Sequence, residues 1–169
     1  MMTKVKTAPS EFKNLKGIEY FDFEEDFMED NIRCIPMVVR FKLDLAGIKL
    51  KLGEWVKFHA TERIELALLP TSSLNEIKYY RDNLIWLIAK HTGNAATLLA
   101  VDPHPKWENL HAVPDILKEK AEELDLRISV SRWQNLTNIQ RFALLKLCRP
   151  GHENKNFPKA MAEFGLIIK

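Results

Sequence analysis

Asn31-Ile-Arg-Cys-Ile-Pro-Met-Val-Val-Arg-Phe-Lys-Leu-Asp-Leu-Ala-Gly-Ile-Lys-Leu50 is the stretch whose reading decides the fold. Pro36 suits the first turn of a helix, where its missing N–H costs nothing. Val38, Val39, Lys42, Leu43 and Ala46 follow at helical spacing. Gly47 can take the left-handed position that closes a helix. Beyond it, Ile48, Leu50 and Leu52 alternate with Lys49, Lys51 and Gly53, a period-two pattern that predicts a short extended piece with one face buried. Trp55 then opens the next helical region. Helix, brief extended segment and helix within some thirty residues predict a mainly α fold with at most a very short β element.

The rest of the chain extends this reading. Ile64, Leu66, Ala67, Leu68 and Leu69 predict a helix that ends at Pro70. Ser73-Leu-Asn-Glu76 has the form of a capping box. It opens a long helix whose stripe is Leu74, Ile77, Tyr80, Arg81, Leu84, Ile88 and His91, stopped by Gly93. Residues 101–114 read as a connector broken by Pro103, Pro105 and Pro114, with Trp107 laid over the core. Pro114 restarts a helix through Ile116, Leu117, Ala121 and Leu124. Boxes at Ser131-Arg-Trp-Gln134 and Thr137-Asn-Ile-Gln140 begin further helices, and a polar loop leads to a last short helix ending at Gly165.

A shift of 78 residues aligns the two halves. Pro36 meets Pro114, Trp55 meets Trp133, and Arg63 meets Arg141. These six read as structural anchors. The two arginines are expected to tether carbonyls or a carboxylate of a preceding segment. Stacked units sharing a core would explain the pattern. The expected organisation is a mobile lead-in over 1–18 and a single compact helical domain over 19–169. Pseudo-repeats fall at about 33–93 and 111–165.

Composition excludes several classes. The 169 residues carry a formal net charge of +2, too small to imply nucleic acid by itself. No apolar run approaches 18 residues, so no membrane span is expected. The first ten residues lack the apolar core of a signal peptide, and two cysteines without one read as reduced thiols, so a cytoplasmic location is expected. Residues 19–30 interleave carboxylates with Tyr20, Phe21, Phe23 and Phe27. The aromatics read as anchors, the acids as solvation and compensation of a helix dipole.

Chemical signals are sparse. Cys34 and Cys148-Arg-Pro-Gly-His152 offer thiols and an imidazole. Without a Cys-x-x-Cys pair or clustered histidines no metal is expected, and no cofactor is implied. His59, His91, His104, His111 and His152 are scattered over helix ends and loops, with His59 placed to cap a helix. No nucleophile elbow, P-loop or dinucleotide fingerprint occurs. Candidate partner-binding residues are Phe21, Phe23, Arg33, Cys34 and Trp107; no residue stands out as catalytic. Two further readings stay open. One is a DNA- or RNA-binding regulator with helix-turn-helix-like units. The other is a cofactor-synthesis enzyme using a Cys34 thiolate activated at a helix start beside Arg33.

Phe21-Asp-Phe-Glu24 with Asp26-Phe27, Ile32-Arg-Cys-Ile-Pro-Met37, Val39-Arg-Phe-Lys-Leu-Asp44, Gly47-Ile-Lys-Leu50 and Trp55 resemble the nitrate reductase associated protein family, small bacterial proteins typical of cyanobacteria. The resemblance runs over roughly 19–165. It implies a non-enzymatic accessory role in nitrate assimilation: maturation, cofactor insertion or activity of nitrate reductase. The implied partner is that enzyme or its molybdenum-cofactor (molybdopterin) assembly machinery. The resemblance supplies no catalytic residues and leaves the oligomeric state open.

Overall fold

In the computed structural model the described residues are 10–26, 28, 34–150 and 155–167. They are mainly helical, with one two-stranded sheet. The chain divides into two compact units, Met1–Val101 and Asp102–Lys169, and the boundary falls at the start of the proline-rich connector.

The first unit is built around the helix that Pro36 starts. Pro36 is the N-cap of α1 (Met37–Ala46), and Gly47 closes it at φ +71°. Proline offers no side-chain acceptor to the first turn. Glu24, fully buried in a 3-10 turn over Asp22–Asp26, supplies it instead: one carboxylate oxygen accepts the Met37 N–H at 2.7 Å. The other accepts the Phe21 N–H at 2.9 Å. A buried carboxylate at a helix N-terminus is thereby hydrogen-bonded and faces the positive end of the dipole. Dipole compensation expected of the acidic run is therefore the work of Glu24, across thirteen residues.

After Gly47 come β1 (Ile48–Lys49), α2 (Leu52–Trp55), α3 (Ala60–Leu68), α4 (Leu74–Thr92) and β2 (Thr97–Leu98). The strands pair antiparallel, Ile48 opposite Leu98 and Lys49 opposite Thr97. α4 packs on α1 and α2, and α1 on α3. Val39, Leu43, Trp55, Leu66, Tyr80, Leu84 and Ile88 form the core. Two polar side chains that enter it are paired. The Tyr80 hydroxyl donates to the Leu66 carbonyl at 2.8 Å. Lys42 donates to the Ala67 and Leu69 carbonyls at 2.6 Å each, capping the C-terminus of α3. Burial pulls the Lys42 amine down to about 8.

The second unit holds a 3-10 turn at Lys106–Glu108, then α5 (Asp115–Glu122), α6 (Val130–Asn135), α7 (Asn138–Leu147) and α8 (Phe157–Glu163). α7 packs on the turn, on α5 and on α8. Leu117, Trp133, Leu144, Phe157 and Met161 are completely or almost completely buried. Replacing a core tryptophan such as Trp133 by alanine typically costs about 3–5 kcal/mol.

Four pairs of residues 78 apart have similar local settings. Pro36 and Pro114 are both N-caps. Trp55 and Trp133 are both fully buried. Arg63 Nη1 donates to the Phe58 carbonyl, and Arg141 Nη1 to the Leu136 carbonyl, five residues back in each case. Arg63 Nε also reaches Glu11 at 2.9 Å, where Arg141 Nε reaches the Trp107 carbonyl at 2.8 Å. Gly47 and Asp125 both take positive φ.

Several expectations need correction. The lead-in is packed from Ser10 onward: Phe12 is fully buried, its ring 6.1 Å from Trp55, and the Ser10 hydroxyl donates to Tyr20 at 2.8 Å. Residues 1–9 lie outside the described residues. Trp55 ends a helix rather than opening one. Leu52 starts α2 and is exposed, because the ladder stops after Lys49. α6 is capped by Ser129, whose hydroxyl accepts the Arg132 N–H at 3.2 Å, not by Ser131. Leu74, assigned to the buried stripe of α4, is 86 % exposed.

Candidate functional site

α4 keeps the boundaries read from its punctuation. Ser73 accepts the Glu76 N–H at 3.2 Å, and Gly93 closes the helix at φ +72°. Tyr80, Leu84, Leu87 and Ile88 point inward. Tyr79 and Trp86, seven residues apart and therefore on one side of the helix, point outward at 61 % and 58 % exposure. Lys90, one turn on, lies over the Trp86 ring with its ammonium 4.8 Å from the ring centre. Lys78 and Asp82 pair at 3.8 Å on the same surface and cancel each other's charge. Tyr79 and Trp86 make this an exposed aromatic face. A tryptophan at a position where the 3.6-residue period calls for a polar side chain is the signal that periodicity alone passes over.

A second group lies where the end of α4 meets the start of α3. His59 is the N-cap of α3, and its backbone N–H donates to Glu62 Oε1 at 2.8 Å. The same oxygen meets His91 Nε2, from the last turn of α4, at 2.7 Å. Lys90 Nζ is 3.6 Å from Glu62 Oε2. The His59 and His91 rings are 5.1 Å apart, and His91 also rests on Phe58 at 5.6 Å. One donor atom from each of His59, Glu62 and His91 lies within 4.8 Å of the other two. Burial raises the Glu62 carboxyl, but the His59 N–H, His91 and Lys90 outweigh it and hold the group below its ordinary value. Read as scattered, these two histidines are brought together by the fold.

The candidate residues read from sequence take other places. Phe21 and Phe23 are buried, stacked on each other at 5.5 Å, and so act as core anchors. Cys34 is half-buried just ahead of α1. Arg33 lies outside the described residues, as does His152. Trp107, in the second unit, is half-buried and gives its carbonyl to Arg141. Cys148 is buried, and burial pushes its thiol up to about 11, far from a thiolate ligand or nucleophile at neutral pH. His104 and His111 are exposed in the connector, their N–H groups tied to Asp102 and Asn109 at 2.9 Å.

Among the described residues no helix is long and apolar enough to cross a membrane. Residues 20–164 match the model of the conserved nitrate reductase-associated protein family. No curated protein and no solved structure is similar enough to match.

Proposed function

Since the chain belongs to the conserved nitrate reductase-associated protein family, we propose that it is a non-enzymatic accessory factor. It binds assimilatory nitrate reductase through the outer face of α4 and supports that enzyme's maturation or activity. The observation that favours this reading is the exposure of Trp86 and Tyr79 on one side of a long helix. Large aromatic side chains left in water are the usual anchors of protein interfaces. The near-neutral charge of the face suits an apolar contact more than electrostatic steering. The matching roles of residues 78 apart support a further reading, that the two units are copies of one helical motif. On that reading α4 is an addition to the first copy, and the partner surface lies on the addition.

The test is direct binding to purified nitrate reductase, together with enzyme activity in a deletion strain. Deletion is expected to leave nitrate reductase transcript intact and its activity low, and Trp86→Ala is expected not to restore it. Full activity without the protein would overturn the proposal.

A further inference from the structure

We propose that His59, Glu62 and His91 form a binding site for a divalent first-row transition metal of the zinc class. The site adjoins the proposed partner surface at Lys90. Two imidazoles and one carboxylate are the donor set of open zinc centres, which leave a fourth position to water or an outside ligand. The geometry is close to what such an ion needs. Donors about 2.1 Å from a tetrahedral metal are roughly 3.4 Å apart. His91 Nε2 and Glu62 Oε1 are 2.7 Å apart and joined through a proton, and the whole set spans no more than 4.8 Å. Replacing that proton by a metal asks the pair to open slightly and the exposed His59 ring to turn inward.

The supporting shell is already in place. Glu62 is fixed by the His59 N–H at 2.8 Å, so the two α3 ligands hold one another. His91 is steadied by the Phe58 ring at 5.6 Å. Such contacts orient ligands before the ion arrives. Access is open, because His59 is on the surface. One group opposes the ion: Lys90 puts an ammonium 3.6 Å from Glu62 Oε2. It is half-exposed, and the Trp86 ring offers it another seat at 4.8 Å. Lys90 therefore weakens the site without closing it.

Titration of zinc chloride into the full chain at pH 7.5, followed by calorimetry, tests the proposal. Cobalt(II) absorption reads the donor set independently. One tight equivalent of zinc is expected. His91→Ala, Glu62→Gln and His59→Asn should each weaken it about tenfold or more, whereas His104→Ala and His111→Ala should leave it unchanged. His59→Asn keeps a good capping side chain, so the helix start survives while the imidazole is lost; it decides the matter if His91→Ala fails to fold. Lys90→Gln should tighten binding several-fold. Zinc affinity that is undetectable, or that is indifferent to His59→Asn and Glu62→Gln, would overturn the site. So would a zinc equivalent that disappears with His104→Ala or His111→Ala.

Discussion

Several residues 78 apart, one in each unit, have similar local settings but different surroundings. Gly47 and Asp125 show this most clearly. Both sit in a left-handed turn after the proline-started helix, at φ +71° and +56°. At Gly47 the turn receives the β2 end of the chain, and the Leu99 N–H donates to the Gly47 carbonyl at 2.8 Å. A side chain there would meet the Leu99 carbonyl at 2.8 Å and Val101 at 2.9 Å. Asp125 is exposed, and aspartate tolerates positive φ better than most residues. Where the turn is open a polar residue suffices; where a strand is laid over it, only glycine fits.

The largest expected effect exploits that contrast. Gly47→Ala should destabilise the first unit by about 3 kcal/mol, combining left-handed backbone strain with a clash that backbone must absorb. Asp125→Gly should stay within about 0.5 kcal/mol in the second. Denaturant unfolding of both variants measures the difference, and equal losses would break the comparison.

The tryptophans give a smaller contrast. Trp133 Nε1 donates to the Asn109 carbonyl at 2.7 Å, with the Arg141 guanidinium 5.9 Å from its ring. The Trp55 indole N–H, equally buried, has no partner among the described residues. Asn31, 78 residues before Asn109, lies outside the described residues. Trp→Phe removes the same volume from both sites but a hydrogen bond from only one. Trp133→Phe should therefore cost about 1.5 kcal/mol more than Trp55→Phe in the same unfolding measurement. Equal costs would mean that Trp55 also has a partner.

A pH-dependent contrast belongs to Lys42, buried against the Ala67 and Leu69 carbonyls where Lys120, 78 residues on, pairs with Glu123 at 3.0 Å. The amine's folded value of about 8 lies below the ordinary 10.5. Between those values the unfolded chain binds more protons than the folded one, so stability rises with pH across that window. A neutral amine still has two N–H groups for the two carbonyls. The stability difference between the protein and Lys42→Met should therefore grow from pH 8 to pH 10.5 and be flat below pH 7. Thermal unfolding of the protein and of Lys42→Met across that range measures it.

What the sequence made legible was set by range. Pro36, Gly47, Ser73 with Glu76, Gly93 and Thr137 with Gln140 each act within one helical turn, and they bound α1, α4 and α7 where expected. Interactions over longer separations were not legible. Glu24 reaches Met37 across thirteen residues, His91 reaches Glu62 across twenty-nine, and β2 is two residues whose partner lies some fifty residues earlier. Leu74 is exposed because a 3.6-residue period extends a stripe past the point where neighbours stop covering it. Trp86 stands off the stripe, so the same period gives no sign of it.

On the proposed reading the outer face of α4 is the partner surface. Binding of purified nitrate reductase to the intact protein, to Trp86→Ala and to Val130→Ala, an exposed apolar position of the second unit, tests it most directly. The expected result is measurable binding that Trp86→Ala weakens at least tenfold, with unchanged thermal unfolding, and that Val130→Ala leaves alone. Binding indifferent to Trp86, or no binding to the enzyme at all, would contradict it.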